Sequence, residues 1–446
     1  MRTATRLTGL MLRRSTDANR ASLALPVVAF AVVTALTLTV LGGARFFFTI
    51  EGPTAPLYQS LAALAVTLLL IPLLTLCGSA ARLSARRRDQ HLSTLRLLGA
   101  PTRTITTMTV LESTVLAAAG TLLGVLGHLA LAPLLGLLTF HGERLGAGHI
   151  LLGVSGTLLC LVGLILMASV SALVGLRGVV VSPLGVRTRQ SAPRLSWARA
   201  VAVVAALGAG MLAAQALRID QGTLSIVVGL AVSFGLTMAV LNLVGPWVLG
   251  VVARRQVRRA GGRFTAERLL AARTVLDNPR AAWRQVSGVA LTSFVAVFAG
   301  VGLAFTNVLA AGGSTPEDDL LLADLRTGIA LTLVISFVTV AASVAVNQGA
   351  DILERRELFT SLERIGMPLD GMDRARRLAV LSPLRVVALG SAAAAALLVL
   401  PLTGTVLLTD PLSLGTIAAL LAAGIAVVWV ALRATSPLLA RVVADA

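Results

Sequence analysis

The chain has 446 residues, 56% of them hydrophobic and 13% charged, with a mean hydropathy of +0.89. A soluble domain carries about 25% charged residues, so most of this chain belongs in lipid. All 38 basic residues are arginine, and against 20 acids they leave a net charge of +18. Without lysine the chain has no Gly-Lys-Ser/Thr phosphate loop, which excludes a Walker A ATPase. The arginines cluster between apolar runs, where membrane orientation explains them better than nucleic-acid binding.

About 20 apolar residues cross a bilayer. Ten runs qualify: 22–44, 57–81, 104–137, 149–176, 199–217, 223–252, 286–310, 323–348, 378–400 and 412–432. Arginines crowd the N-terminal tail and every even break. The sixth break is the richest, from Arg254 to Arg284, and the eighth holds Arg355, Arg356, Arg364, Arg374, Arg376 and Arg377. The odd breaks are arginine-poor, and the seventh carries Glu317, Asp318 and Asp319. Positive charge marks the cytoplasmic side, so both termini are expected in the cytoplasm. The first run is longer than the core of a secretory signal and is expected to be retained.

One phrase occurs twice. Residues 85–103 read ARRRDQHLSTLRLLGAPTR and residues 352–370 read ILERRELFTSLERIGMPLD. Superposed on Gly99 and Gly366, they align Leu95 with Leu362, Leu98 with Ile365 and Pro101 with Pro368. Leu92, Leu95 and Leu98 fall on one helix face, as do Phe359, Leu362 and Ile365. Glycine suits the end of a helix and proline prevents its continuation. Each phrase is therefore read as a short amphipathic helix, stopped sharply at the cytoplasmic foot of a span. A helix lying on headgroups is the plainer reading, but it does not require two copies. Two equivalent feet suit a partner with two equivalent grooves.

The phrase belongs to a larger duplication. Each half gives two spans, the phrase, then two more spans. Ser182-Pro183-Leu184 follows the fourth span and Ser436-Pro437-Leu438 the tenth. The expected fold is an all-α polytopic membrane protein of ten transmembrane helices. A first four-helix repeat covers 1–190, with its foot near 90–101. Connecting spans five and six cover 191–265. A second repeat covers 266–446, with its foot near 357–368. Both copies keep one orientation, so they are parallel repeats about an axis along the membrane normal.

The residues at 86–100, Arg-Arg-Arg-x-x-x-Leu-x-x-Leu-Arg-x-Leu-Gly-Ala, resemble the signature of FtsX-like permease domains, the membrane part of MacB-type ABC transporters. The stretch from Glu354 to Met367 is similar to a worn copy. The ten-span layout resembles BceB-type and other long FtsX-like permeases. The resemblance implies a bacterial plasma membrane and a separate ABC-type ATPase, likewise in two copies. ATP and Mg would sit on that partner, and no cofactor on this chain. By motif, Leu95, Arg96, Leu98, Gly99, Ala100 and Pro101 would form one coupling helix. Leu362, Glu363, Ile365, Gly366, Met367 and Pro368 would form the other. Glu363 stands where the signature has arginine. Many members carry a large extracytoplasmic domain, whereas the outer loops here are short.

Charge inside a membrane is costly and marks function by default. Glu112 and Arg385 lie near the starts of spans three and nine and could pair across the pseudo-axis, or snorkel separately to headgroups. His128 and Asn307 are read as interhelical hydrogen-bonding groups, and Phe46–Phe48 as an interfacial aromatic anchor. Cys77 and Cys160 are read as buried small hydrophobes. No catalytic or metal-ligating constellation stands at membrane depth, so this chain is not expected to be an enzyme. The leading reading is a permease that exports a lipid, lipophilic drug or hydrophobic peptide, admitted sideways from the membrane. The alternative is a mechanotransmission subunit that moves a partner without carrying cargo. A proton-driven carrier would need midplane acids, which are not evident.

Overall fold

The computed structural model describes residues 17–52, 54–86, 102–181, 222–259, 266–311, 316–403 and 411–444. The architecture is all-α apart from one small hairpin. The helices are α1 (Asp17–Phe47), α2 (Ala55–Arg86), α3 (Thr102–Leu135), α4 (Ala147–Ile150), α5 (Gly153–Val181), α6 (Gly222–Arg259), α7 (Ala266–Asp277), α8 (Pro279–Ala311), α9 (Pro316–Glu354), α10 (Arg356–Arg364), α11 (Leu369–Thr403), α12 (Pro411–Ala434) and α13 (Ser436–Ala444). The hairpin joins β1 (Thr139–Phe140) to β2 (Glu143–Arg144).

Helices dominate because lipid offers backbone groups no hydrogen-bond partner, so each segment must satisfy its own. Among the described residues, nine helices are long and apolar enough to cross a membrane. They coincide with nine of the ten expected spans. The fifth, at 199–217, lies outside the described residues. Helix α9 runs for 39 residues, which at 1.5 Å per residue is about 58 Å, roughly twice the hydrocarbon thickness. Its lower end therefore projects past the lipid on the arginine-rich side.

In the first half, α1 packs on α3 and α2, and α5 closes against α2 and α3. In the second half, α8 packs on α11 and α9, and α12 closes against α8 and α9. The halves meet mainly where α9 lies along α2 and α1. Helices α6 and α7 flank the second half through α8 and α11.

The α1–α3 crossing is tight because α3 presents glycine. A Cβ added to Gly120 would stand 2.5 Å from the Phe30 Cβ, and one added to Gly124 would stand 2.5 Å from the Thr34 Cβ. Small residues four apart let membrane helices approach at backbone distance. Thr39 Oγ1 and His128 Nδ1 add a 3.0 Å hydrogen bond across the same pair, matching the role read for His128. Cys77 is buried and Cys160 half-buried; both are free thiols.

At the arginine-poor end, the loop after α3 folds as a two-residue hairpin. His141 and Gly142 both take positive φ, 57° and 79°, the pattern of a type I′ turn. Thr139 pairs with Arg144 and Phe140 with Glu143. Phe140 is buried with Leu145 and Ile150 against Phe46 and Phe47. Phe47 meets Phe140 edge to face at 5.2 Å and stacks on Tyr58 at 6.2 Å. Phe46 and Phe47 are thus packing residues. Phe48 alone of the three is exposed, as an interfacial anchor requires.

Candidate functional site

The second copy of the phrase is built as follows. Helix α9 ends at Glu354, and the chain breaks at Arg355, whose φ and ψ are −103° and 22°. Arg355 is pinned by a 2.9 Å ion pair to Asp351, one turn earlier. Helix α10 then runs for 9 residues. It stops in a Schellman motif: Met367 N–H donates to Leu362 O at 3.0 Å, and Gly366 N–H to Glu363 O at 2.8 Å. Gly366 has φ +91°, which glycine adopts without the Cβ clash other residues meet. Pro368 follows and opens α11.

The two faces of α10 do different work. Phe359 is buried with Ile352, Met372 and Leu439, and Leu362 and Met367 pack against that cluster. The apposition of Leu362 and Met367 is the hydrophobic contact that accompanies a Schellman stop. Ile365 is 82% exposed and Leu358 47% exposed. Glu363, Arg364, Gly366 and Pro368 are exposed beside them. The single apolar face expected from Phe359, Leu362 and Ile365 is therefore divided: the first two anchor the helix and Ile365 points outward. The spacing could not show this, because part of the anchoring surface, Leu438 and Leu439, comes from α13, far along the chain.

Beneath α10 lies a buried arginine. Arg376 pairs with Asp373 at 2.7 Å. It donates to Gln348 Oε1 at 3.2 Å, Thr435 Oγ1 at 2.9 Å, Leu432 O at 3.2 Å and Ser436 Oγ at 3.3 Å. Asp373 also takes Arg377 at 2.9 Å and the Ser436 hydroxyl at 3.1 Å. Gln348 passes the network on to Gln285 at 3.2 Å. One guanidinium thus joins α9 and α11 to the α12–α13 corner, with α8 reached through Gln348. A cleft of about 60 Å³ opens between this hub and α10, lined by Gln285, Gln348, Asp351, Arg355 and Phe359 among others. The signal in the sequence was an aspartate three residues before one arginine and four before the next.

A second polar contact joins the halves at the opposite end. Tyr58 Oη donates to Asp324 Oδ2 at 2.6 Å, and the His141 N–H donates to the same oxygen at 2.9 Å. Asp324 and Tyr58 are both buried. Tyr58 lies in the first turn of α2 and Asp324 in the third turn of α9, so this contact bridges first half to second.

Of the remaining expected residues, Leu95, Arg96, Leu98, Gly99, Ala100 and Pro101 lie outside the described residues. Glu112 is half-buried on α3, a helix that packs on α1 and α5; Arg385 is exposed on α11, which packs on α8 and α7. The side chain of Asn307 is also outside the described set. Among the described residues no group of three or more His, Cys, Asp or Glu is placed to hold a metal.

Residues 76–180 match the FtsX-like permease C-terminal family. The matched stretch begins in α2, takes in the first phrase and α3, and ends at the last turn of α5. The match supports an FtsX-like permease domain in a multi-pass membrane protein; such a domain suggests a membrane component of an ABC-type transporter, and its family generally works with an ABC ATPase. Comparison with curated proteins gave no match to the chain.

Proposed function

We propose that this chain is the permease subunit of a MacB-like exporter, driven by two copies of a separate ATPase that grip the feet near 90–101 and 357–368. The observation that carries this reading is α10: a short helix, stopped by a Schellman motif, braced on one side and presenting Leu358 and Ile365 on the other. Its brace is the apolar cluster of Ile352, Met372 and Leu439 on α9, α11 and α13, elements that the Arg376 hub ties to α12 and, through Gln348, to α8, so a push on α10 is passed to the whole block rather than absorbed locally. Interior packing is bistable rather than compliant. The second half therefore moves as a block against α1 and α2. At the far end the Tyr58–Asp324 contact holds the halves closed and must break for cargo to leave. The short outer loops favour a cargo that comes from the bilayer: a lipid, a lipophilic drug or a hydrophobic peptide.

Like packing in the two halves supports the parallel-repeat, ten-span arrangement. Span one on three, one on two and two on four each recur as seven on nine, seven on eight and eight on ten. On the arginine bias of the even breaks, this reading takes both termini as cytoplasmic and the membrane as a bacterial plasma membrane. The test is co-expression with the ATPase encoded separately. Ile365→Asp, on an exposed position, is expected to cut co-purified ATPase to about half or less while leaving the thermal midpoint unchanged. Combination with Leu95→Asp is expected to abolish it. Undiminished recovery from the double variant contradicts the reading.

A further inference from the structure

A larger cavity, of about 400 Å³, opens between α6, α7 and α11. Its apolar wall is formed by Leu249, Val252, Leu378, Leu381 and Val386. Its polar lining is Gln256, Arg268, Ser382 and Arg385. Gln256 Nε2 donates to Ser382 Oγ at 2.9 Å, tying α6 to α11 at the edge of the opening. Arg385 is exposed and makes no hydrogen bond or ion pair with any described residue.

Depth along the helices decides what this cavity suits. Arg385 lies nine residues beyond the buried Arg376 on α11, about 14 Å of helix rise. Gln256 lies one turn before the end of α6, among Arg254, Arg255 and Arg258. The opening therefore falls at the headgroup border of the arginine-rich side, with its apolar wall reaching into the hydrocarbon. A cationic guanidinium at that level is stable only where it reaches an anion or water. The Leu-lined wall rejects a freely soluble anion and welcomes a chain of methylenes.

We infer that this cavity binds an anionic phospholipid of the leaflet on the arginine-rich side. Its phosphate accepts from Arg385, with Arg268 on the opposite wall, and an acyl chain lies along Val252, Leu378 and Leu381. Headgroup and tail are recognised together. The inference stands independently of whether the chain exports anything. It places a lipid wedge between the flanking pair α6–α7 and the block that carries α10.

The test uses the full chain, delipidated in detergent, with native mass spectrometry after adding phosphatidylglycerol, phosphatidylcholine or glycerol phosphate. Phosphatidylglycerol is expected to be retained about tenfold over phosphatidylcholine, because both offer a phosphate to Arg385 but only the choline headgroup brings a cation that Arg385 and Arg268 repel. Arg385→Gln is expected to remove most of that preference, and Arg385→Lys to keep it. Arg254→Gln, outside the cavity, is expected to change nothing. Glycerol phosphate is expected not to bind. Equal losses from Arg254→Gln and Arg385→Gln would show only generic attraction to a cationic protein and overturn the inference, as would glycerol phosphate binding as well as the lipid. Should Arg385→Gln not fold, a diazirine-bearing phosphatidylglycerol on the unaltered chain replaces it. Labelling within 249–256 and 378–386 supports the site, and labelling confined elsewhere overturns it.

Discussion

The two halves solve one packing problem with different chemistry. In the first half, α1 and α3 meet at backbone distance over Gly120 and Gly124. In the second, α8 and α11 pack through a side-chain core that includes Val286, Ala290, Leu384 and Val387. The ends differ as well. In the register that superposes Gly99 on Gly366, Asp373, Arg376 and Gln348 fall opposite Thr106, Thr109 and Ala81. At these three positions the first half therefore lacks the residues of the arginine hub, and Ala81 packs instead in an apolar cluster with Cys77 and Ala80. Close contact gives dispersion without charge, while the hub adds directional, charge-assisted bonds between helices. A block tied by one guanidinium is rigid as long as every partner is present, and fails as a unit when one is lost.

The sharpest way to break this comparison is Asp373→Ala. It strips the buried Arg376 of its counter-ion and is expected to cost about 3–5 kcal/mol, read as a lowered thermal midpoint in detergent. An equal cost from Thr106→Ala in the first half would erase the distinction. Tyr58→Phe removes a hydrogen bond to a buried carboxylate and is expected to cost about 1.5–3 kcal/mol. It should also raise the basal ATPase of the assembled transporter, because the outer contact opposes opening; a stability loss with unchanged turnover would make that contact merely structural. Gly124→Ala tests the first half's method of packing. Its Cβ meets Thr34 and the Ala31 carbonyl, and the expected cost is about 1–3 kcal/mol. The smallest effect is expected from Thr39→Val, about 0.6 kcal/mol for one interhelical hydrogen bond in a membrane, measured in the same unfolding assay.

The sequence showed the parts of the fold that depend on short-range chemistry. Apolar length exposed the spans, and the glycine–proline pair foretold the abrupt end of α10, since both constraints are local. Four features were not readable. The division of α10 into an anchoring and an outward face depends on Leu438 and Leu439, more than 70 residues beyond Leu362. Arg376 was hidden among arginines that the orientation rule treats alike, although one is buried and its neighbours Arg374 and Arg377 are not. Tyr58 and Asp324 are 266 residues apart, and neither sits in a motif. The hairpin after α3 escaped because His141, at positive φ, is not the residue that usually announces such a turn.

The account rests on α10 offering its outward face to a motor. The most direct measurement is site-specific photocrosslinking in the assembled complex, with a photoreactive phenylalanine analogue at Ile365, Phe359 or Phe48. The account predicts a crosslink to the ATPase from position 365, none from buried position 359 and none from position 48 at the opposite end. A crosslink from position 48, or none from position 365 in a complex that hydrolyses ATP, would contradict it.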